Sequence, residues 1–177
     1  MFQVCQRSAF SAFHFQALDP QGGVLADLVW PNWAQAKNAR LRWHAPDSPE
    51  GDVQIRTGGA LYRVGFEYLS RGFTNETRFT LHQGGEPMAV VDVVHPKGRG
   101  LKRMDMLMTQ PLRAKLSPAN RWGRVRYRLE QEGQCLGVVE ENRWFTLKRE
   151  MSVDLPQSLG LPVQLFISVM VLHAAFT

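Results

Sequence analysis

Cysteine is scarce in this chain: Cys5 and Cys135 are the only two among 177 residues. They form no CxxC pair, so neither a disulfide framework nor a cysteine-based metal knuckle is written into the sequence. Two unlinked thiols in a reducing compartment are expected. Catalytic signatures are missing as well. The chain has no G-x-S-x-G, no P-loop, no H-E-x-x-H and no G-x-G-x-x-G. Gly98–Gly100, which reads Gly-Arg-Gly, is too short for a phosphate loop and is expected to be a turn. The histidines His14, His44, His82, His95 and His173 never stand at the i, i+2 or i+4 spacing of metal ligands. No enzymatic activity, metal or cofactor is therefore expected. The opening MFQVCQRSAFSAFHFQAL breaks each apolar run with Gln, Arg, Ser or His and lacks an early cationic cluster. It does not read as a secretory signal, and cytoplasmic residence is the expectation.

What is present is a repeated short unit: an alternating strand, a turn with glycine, and a second apolar strand. It occurs as FHFQALDPQGGVLADL (13–28), TRFTLHQGGEPMAVVDV (77–93) and VRYRLEQEGQCLGVVEE (125–141). Period-two alternation marks the strands, and the Asp, Pro and Gly residues between them mark hairpin turns. In the third unit Val125, Tyr127 and Leu129 share one face, while Arg124, Arg126, Arg128 and Glu130 share the other. Glu130 and Glu132 would then sit on one face beside the arginines. Further strands are predicted at Val53–Arg56, Leu61–Tyr68, Leu112–Leu116 and Arg143–Lys148. Segments rich in Pro, Gly, Asp and Asn separate them, and none is long enough to divide the chain. About ten to twelve short strands at this spacing predict an all-β sandwich or barrel.

The C-terminus departs from that pattern. From Leu161 to Phe176 the only residues outside the apolar set are Pro162, Gln164, Ser168 and His173. Pro162 suits a first helical turn, and Ser158 reads as the cap or as a residue next to it. A helix apolar on nearly every side must be buried. A membrane span needs about 20 apolar residues, and this stretch supplies roughly 16, or about 24 Å. A core helix over 159–175 is the expectation, with no transmembrane span. An all-β chain ending in such a helix suggests a barrel that uses it as a plug.

Acid is nearly absent from one region. Residues 1–88 balance eight Lys/Arg against eight Asp/Glu, whereas 97–128 hold ten basic residues and a single acid, Asp105. The cations fall in two groups, Lys97, Arg99, Lys102 and Arg103 in HPKGRGLKR, and Arg121, Arg124, Arg126 and Arg128 in RWGRVRYR. Arginine suits phosphate because its guanidinium donates two parallel hydrogen bonds, and Trp122 stands beside the second group as an interfacial or stacking aromatic. These eight residues are the candidate binding site for an anionic phosphate. The competing interpretation is a solvated face that keeps the protein soluble.

The strand-and-helix combination resembles the tubby C-terminal-like superfamily, which includes tubby proteins, phospholipid scramblases and LURP-one-related proteins. The segment RWFTLKREMSVDLPQSLGLPVQLFISVMVLHAAF (143–176) is similar to the last strand, acidic-Leu-Pro loop and hydrophobic helix of small LURP-one-like bacterial proteins. FQALDPQGGVLADL and YRLEQEGQCLGVV look like that family's hairpin units. The resemblance implies a single domain over 1–177: a closed antiparallel β-barrel of about ten to twelve strands within 1–150, around a central hydrophobic C-terminal α-helix. It also implies a non-enzymatic binding or scaffold module, cytoplasmic and peripheral at the membrane, that engages anionic phospholipid or phosphoinositide through its basic face. No acidic cluster or cysteine-rich segment matches the scramblases' calcium-binding and palmitoylation features. A calycin-like carrier of a small apolar ligand and a nucleic-acid-binding barrel are the alternatives. The occupant of the barrel centre separates the carrier from the rest.

Overall fold

The described residues of this computed structural model are 1–8, 14–30, 53–70, 76–94, 105–119, 124–142 and 148–176. Among them twelve strands follow one another: β1 (Phe2–Gln6), β2 (His14–Leu18), β3 (Val24–Val29), β4 (Val53–Thr57), β5 (Ala60–Ser70) and β6 (Glu76–Gln83). Then come β7 (Glu86–Val94), β8 (Asp105–Gln110), β9 (Ala114–Pro118), β10 (Arg126–Gln131), β11 (Gln134–Glu141) and β12 (Glu150–Asp154). Each strand pairs antiparallel with its sequence neighbours. Pairing of β1 with β12, Phe2 opposite Val153, closes the sheet into a barrel.

Turn chemistry explains the three predicted hairpins. Gly84 and Gly85 join β6 to β7 with φ of 60° and 94°, and Glu132 and Gly133 join β10 to β11 with φ of 49° and 83°. Two successive residues at positive φ twist a two-residue turn to match the strands it connects. In the β2–β3 turn the Asp19 carboxylate accepts hydrogen bonds from the backbone N–H of Gln21 and Gly23, at 2.9 and 2.7 Å. Glu132 thus lies in the turn itself and shares no strand face with Glu130.

Alternation then decides what faces inward. One core cluster contains inward residues from every strand, among them Val4, Phe15, Leu28, Ile55, Val64, Phe79, Val91, Met108, Leu116, Leu129, Val139 and Met151. Of the two faces expected for the basic strand, Tyr127 and Leu129 are buried and Arg124 and Arg128 exposed, whereas Val125 packs only partly against the core and Arg126 is half-buried. A slip of one residue would drive arginines into that core.

The helix α1 (Gly160–Phe176) supplies the rest of the same cluster. Its residues from Leu165 to Leu172 have no exposed surface on any side, so the helix runs inside the barrel and occupies its lumen. Gln157–Ala174 is long and apolar enough to cross a membrane by length and composition, but here most of it is enclosed by the strands. The two buried polar side chains of the helix are satisfied. Gln164 donates to the Pro156 carbonyl at 3.1 Å, and the Ser168 hydroxyl donates to the Gln164 carbonyl at 2.9 Å. Ser168 therefore costs little despite its burial.

Three expectations need correction. The strands do not end within 1–150: the last, β12, runs from Glu150 to Asp154 and provides the seam with β1. The helix begins at Gly160, and Ser158 does not cap it: Ser158 sits in a 3-10 turn, Gln157–Leu159, whose flanking Gly160 takes φ of 70°. The first strand of the third unit, read from Val125 with Arg124 on its outer face, begins one residue later, since β10 starts at Arg126. Of the strand expected at Arg143–Lys148, residues 143–147 lie outside the described residues.

The up-and-down path gives the barrel two unlike rims. One carries the short connections 19–23, 58–59, 84–85, 111–113 and 132–133, and here the chain leaves β12 to enter α1. The connections 7–13, 30–52, 71–75, 95–104, 119–125 and 142–149 all join strands at the other rim. They are called below the tight-turn rim and the far rim.

Candidate functional site

Five of the eight candidate cations, Lys97, Arg99, Lys102, Arg103 and Arg121, lie outside the described residues. The strands that flank them, β7 and β8 on one side and β9 and β10 on the other, end at the far rim. The remaining three stand at or below that rim. Arg124 and Arg128 are exposed, and neither forms an ion pair among the described residues. Arg128 lies opposite Ser117 of β9 and Val138 of β11, two uncharged neighbours.

Arg126 differs. Its register partner on β11 is Glu140, and its Nε lies 3.3 Å from the Glu140 carboxylate. The other cations of the basic stretch also separate in space. Lys115 donates to Asp105 at 2.8 Å across the β8–β9 pair, while Arg113 sits in the 111–113 connection at the tight-turn rim. The described cations of that stretch, Arg113, Lys115, Arg124, Arg126 and Arg128, are therefore distributed between two rims and a wall.

That wall is a ladder of paired charges. Arg78 donates through two nitrogens to the Asp92 carboxylate, at 2.7 and 2.9 Å, and lies 3.7 Å from Glu67. The hydrogen bond to Asp92 raises the Arg78 pKa further. Across β2 and β3, His14 contacts Asp27 at 3.2 Å and Gln16 donates to the same oxygen at 3.1 Å. Burial would raise the Asp27 pKa, but the hydrogen bonds from Gln16 and His14, with the charges of His14 and Arg7, outweigh it and hold the carboxyl below its ordinary range. Charged residues outside and apolar residues inside are the reverse of a lipid-facing barrel.

The same outer row holds a thiol, since Cys5 lies opposite Gln16 and Gln16 opposite Asp27. Burial, with the charge of Glu150, pushes the Cys5 pKa up. A thiol kept protonated is a poor nucleophile. Among the described residues no cluster of three His, Cys, Asp or Glu could hold a metal ion.

The helix α1 carries one titratable side chain, His173, at the edge of the core. The His173 ring of α1 stands 5.3 Å from the Phe79 ring, centroid to centroid, while one edge of the residue stays partly exposed. Burial pushes its pKa down from 6.5 to about 4. The unfolded chain therefore binds this proton more tightly than the folded one. Stability should be full above pH 6.5 and fall as the pH drops from 6.5 toward 4, by up to about 3 kcal/mol. Urea titrations of wild type and His173→Gln across that range test this. The variant should show a flatter profile, and equal slopes would show that the ring is hydrated in the fold.

Sequence reasoning did not pick out the exposed apolar residues Val24 and Leu61 at the tight-turn rim, nor Tyr68 and Leu69 at the far rim. Their signal was available only as breaks in alternation near strand ends. No protein-family model, no curated protein and no solved structure matches the chain.

Proposed function

We propose that this chain is a non-enzymatic binding module of tubby-like architecture that engages the phosphates of an anionic phospholipid surface, without a cofactor, as a cytoplasmic protein peripheral at the membrane. Lys97, Arg99, Lys102, Arg103, Arg121, Arg124, Arg126 and Arg128 are its contact residues. The observation that carries this reading is the excess of ten basic residues over one acid in 97–128, with Arg124 and Arg128 exposed and free of carboxylate partners among the described residues. Arg126, already bound to Glu140, contributes least. A carrier of apolar ligands would need the lumen that α1 fills. Nucleic acid is the second reading, favoured by the same charge but by no recognition motif.

Vesicles test it. The protein should bind vesicles containing phosphatidylserine or a phosphoinositide and leave phosphatidylcholine vesicles alone, with affinity falling as salt screens the exposed charges. Each cation near an anionic surface contributes about 1 kcal/mol. Replacing Lys97, Arg99, Lys102 and Arg103 together by Glu should then weaken binding by more than about tenfold and leave the melting temperature unchanged. Equal binding to both vesicle types, or binding to neither, removes the proposal. Tighter salt-sensitive binding to DNA or RNA would assign the surface to nucleic acid.

A further inference from the structure

The ladder of paired charges on the outer wall has a gap, and all of its residues are described. Residues 53–65 and 80–85, which make β4, the first half of β5 and the end of β6 with its turn, contain Arg56, Arg63 and His82 but no Asp or Glu. Elsewhere on the wall Arg78 pairs with Asp92, Lys115 with Asp105 and Arg126 with Glu140, each across neighbouring strands. Arg63 has Gln54 on one side and His82 on the other. Its side chain forms no ion pair or hydrogen bond among the described residues. Of the acids that border these segments, Glu67 lies 3.7 Å from Arg78, and Glu86 lies on β7 opposite Gln83.

Arg56 adds a second guanidinium to this row. Its register partner on β3 is Asp27, but that carboxylate is taken by His14 and Gln16 and also feels the charge of Arg7. Arg56 instead donates through Nη2 to the Gln54 side-chain oxygen at 2.7 Å. Gln54 stands opposite Arg63, so this hydrogen bond draws one guanidinium toward the row of the other. Both arginines are exposed. The His82 ring lies over Gly65, where a Cβ would come within 3.3 Å of it. Two hollows open on the same face at the tight-turn rim. Pairing of β3 with β4 ends at Asp27, and beyond it the Thr57 hydroxyl donates to the Leu25 carbonyl at 2.8 Å. Where the two strands part lies a hollow of about 420 Å³, lined by Val24, Arg56 and Leu61 among others. The second, of about 450 Å³, is lined by Leu61, Arg63, His82, Gly84 and Gly85. Leu61, 41% exposed, is the ridge between them.

We propose that this face docks an extended acidic segment of another protein, with a carboxylate seated between Arg56 and Arg63 and apolar side chains in the hollows on either side of Leu61. Charge complementarity carries the choice of partner. The wall satisfies its other cross-strand cations with carboxylates, and at Arg63 the register supplies none, so the missing group must come from outside. A guanidinium takes the two oxygens of a carboxylate in one plane. Both hollows are open to solvent, which suits a chain laid across strands; a small-molecule site encloses most of its ligand. From β3 to β6 is three strand spacings, about 14 Å, which an extended segment of about five residues covers. The proposal is independent of the phosphate-facing residues, none of which lies on β3 to β6.

The experiment titrates the full chain with the capped peptide Leu-Glu-Glu-Leu-Glu-Glu and follows backbone amides by NMR. Each face of this peptide, when extended, has both kinds of side chain. The amides of Gly58, Gly59, Gly84 and Gly85 should shift and saturate, and the Kd should rise with salt. Exchanging the peptide's glutamates for glutamine, or its leucines for serine, should weaken binding by about fivefold or more. On the protein, Arg63→Gln should cost about fivefold, the worth of one well-formed exposed ion pair. Arg113→Gln makes the same charge change at the same rim outside both hollows, and should stay within about twofold of wild type. The absence of saturable shifts at those glycines, equal losses in the two variants, or undiminished binding of the glutamine peptide overturns the proposal. So does an Arg63→Gln variant that loses affinity for phosphatidylserine vesicles and none for the peptide, which would assign the face to lipid.

Discussion

A chain ending at Leu159 should fail to fold. Val163, Leu165, Phe166, Ile167, Val169, Met170, Val171 and Leu172 are all buried inside the barrel, and truncation would remove all eight together. A large aliphatic or aromatic side chain lost from a core costs about 2–5 kcal/mol, so the sum exceeds the roughly 5–15 kcal/mol that holds a domain together. The inward faces of twelve strands would also line an empty space, which no closed sheet of this size can collapse to fill. The gentler form of the experiment is Phe166→Ala, which should destabilise the full chain by about 3–5 kcal/mol. Circular dichroism and denaturant titration report both. A soluble truncated chain with a cooperative transition would mean that the strands close without the helix, and the lumen assignment would be wrong.

The hairpins were legible because turn chemistry and alternation are local. QGGE and QEGQ each demand two residues at positive φ, and the flanking residues alternate on both sides. The helix was legible for the opposite reason, since no stripe of polarity interrupts it. The strands that escaped notice, β1, β8 and β12, depend on partners far away in sequence. β12 is EMSVD, five residues with two inward apolar positions, and it becomes a strand by pairing with β1 and β11. In β8 the sequence DMLMTQ runs three apolar residues together, because Leu107 faces outward between Met106 and Met108 and hides the alternation. The basic site shows the same limit. Charge density along the chain was visible, but Arg113 and Arg124, eleven positions apart, end at opposite rims, and Glu140 reaches Arg126 only through the β10–β11 register.

Gly137 is the position where the wall and the plug meet. It lies on β11 opposite Leu129, next to Val138, which pairs with Asp154 at the end of β12. Just beyond Asp154 the chain turns inward through Leu155, itself buried, toward the 3-10 turn and α1. A Cβ on Gly137 would collide with the Asp154 carbonyl oxygen and stand 2.9 Å from the Leu155 Cα and 3.1 Å from its side chain. Two of those obstacles are backbone, so no rotamer change relieves them. The cost must come from moving β12 away from β11, or the helix entry away from the wall, and either loosens the core. Gly137→Ala should therefore destabilise by at least about 3 kcal/mol, at or beyond the usual range for overpacking, and Gly137→Val should not give a folded protein at 37 °C. The control is Gly133, four residues away. It has φ of 83°, and a Cβ added there would meet nothing within 4 Å, so its requirement is conformational. Asn tolerates the left-handed region better than other side chains, so Gly133→Asn should cost no more than about 1 kcal/mol. Thermal melts of the three variants decide the matter. If Gly137→Ala proves as mild as Gly133→Asn, the backbone of residues 154–155 does not press against β11, and the path by which the chain enters the barrel would have to be redrawn.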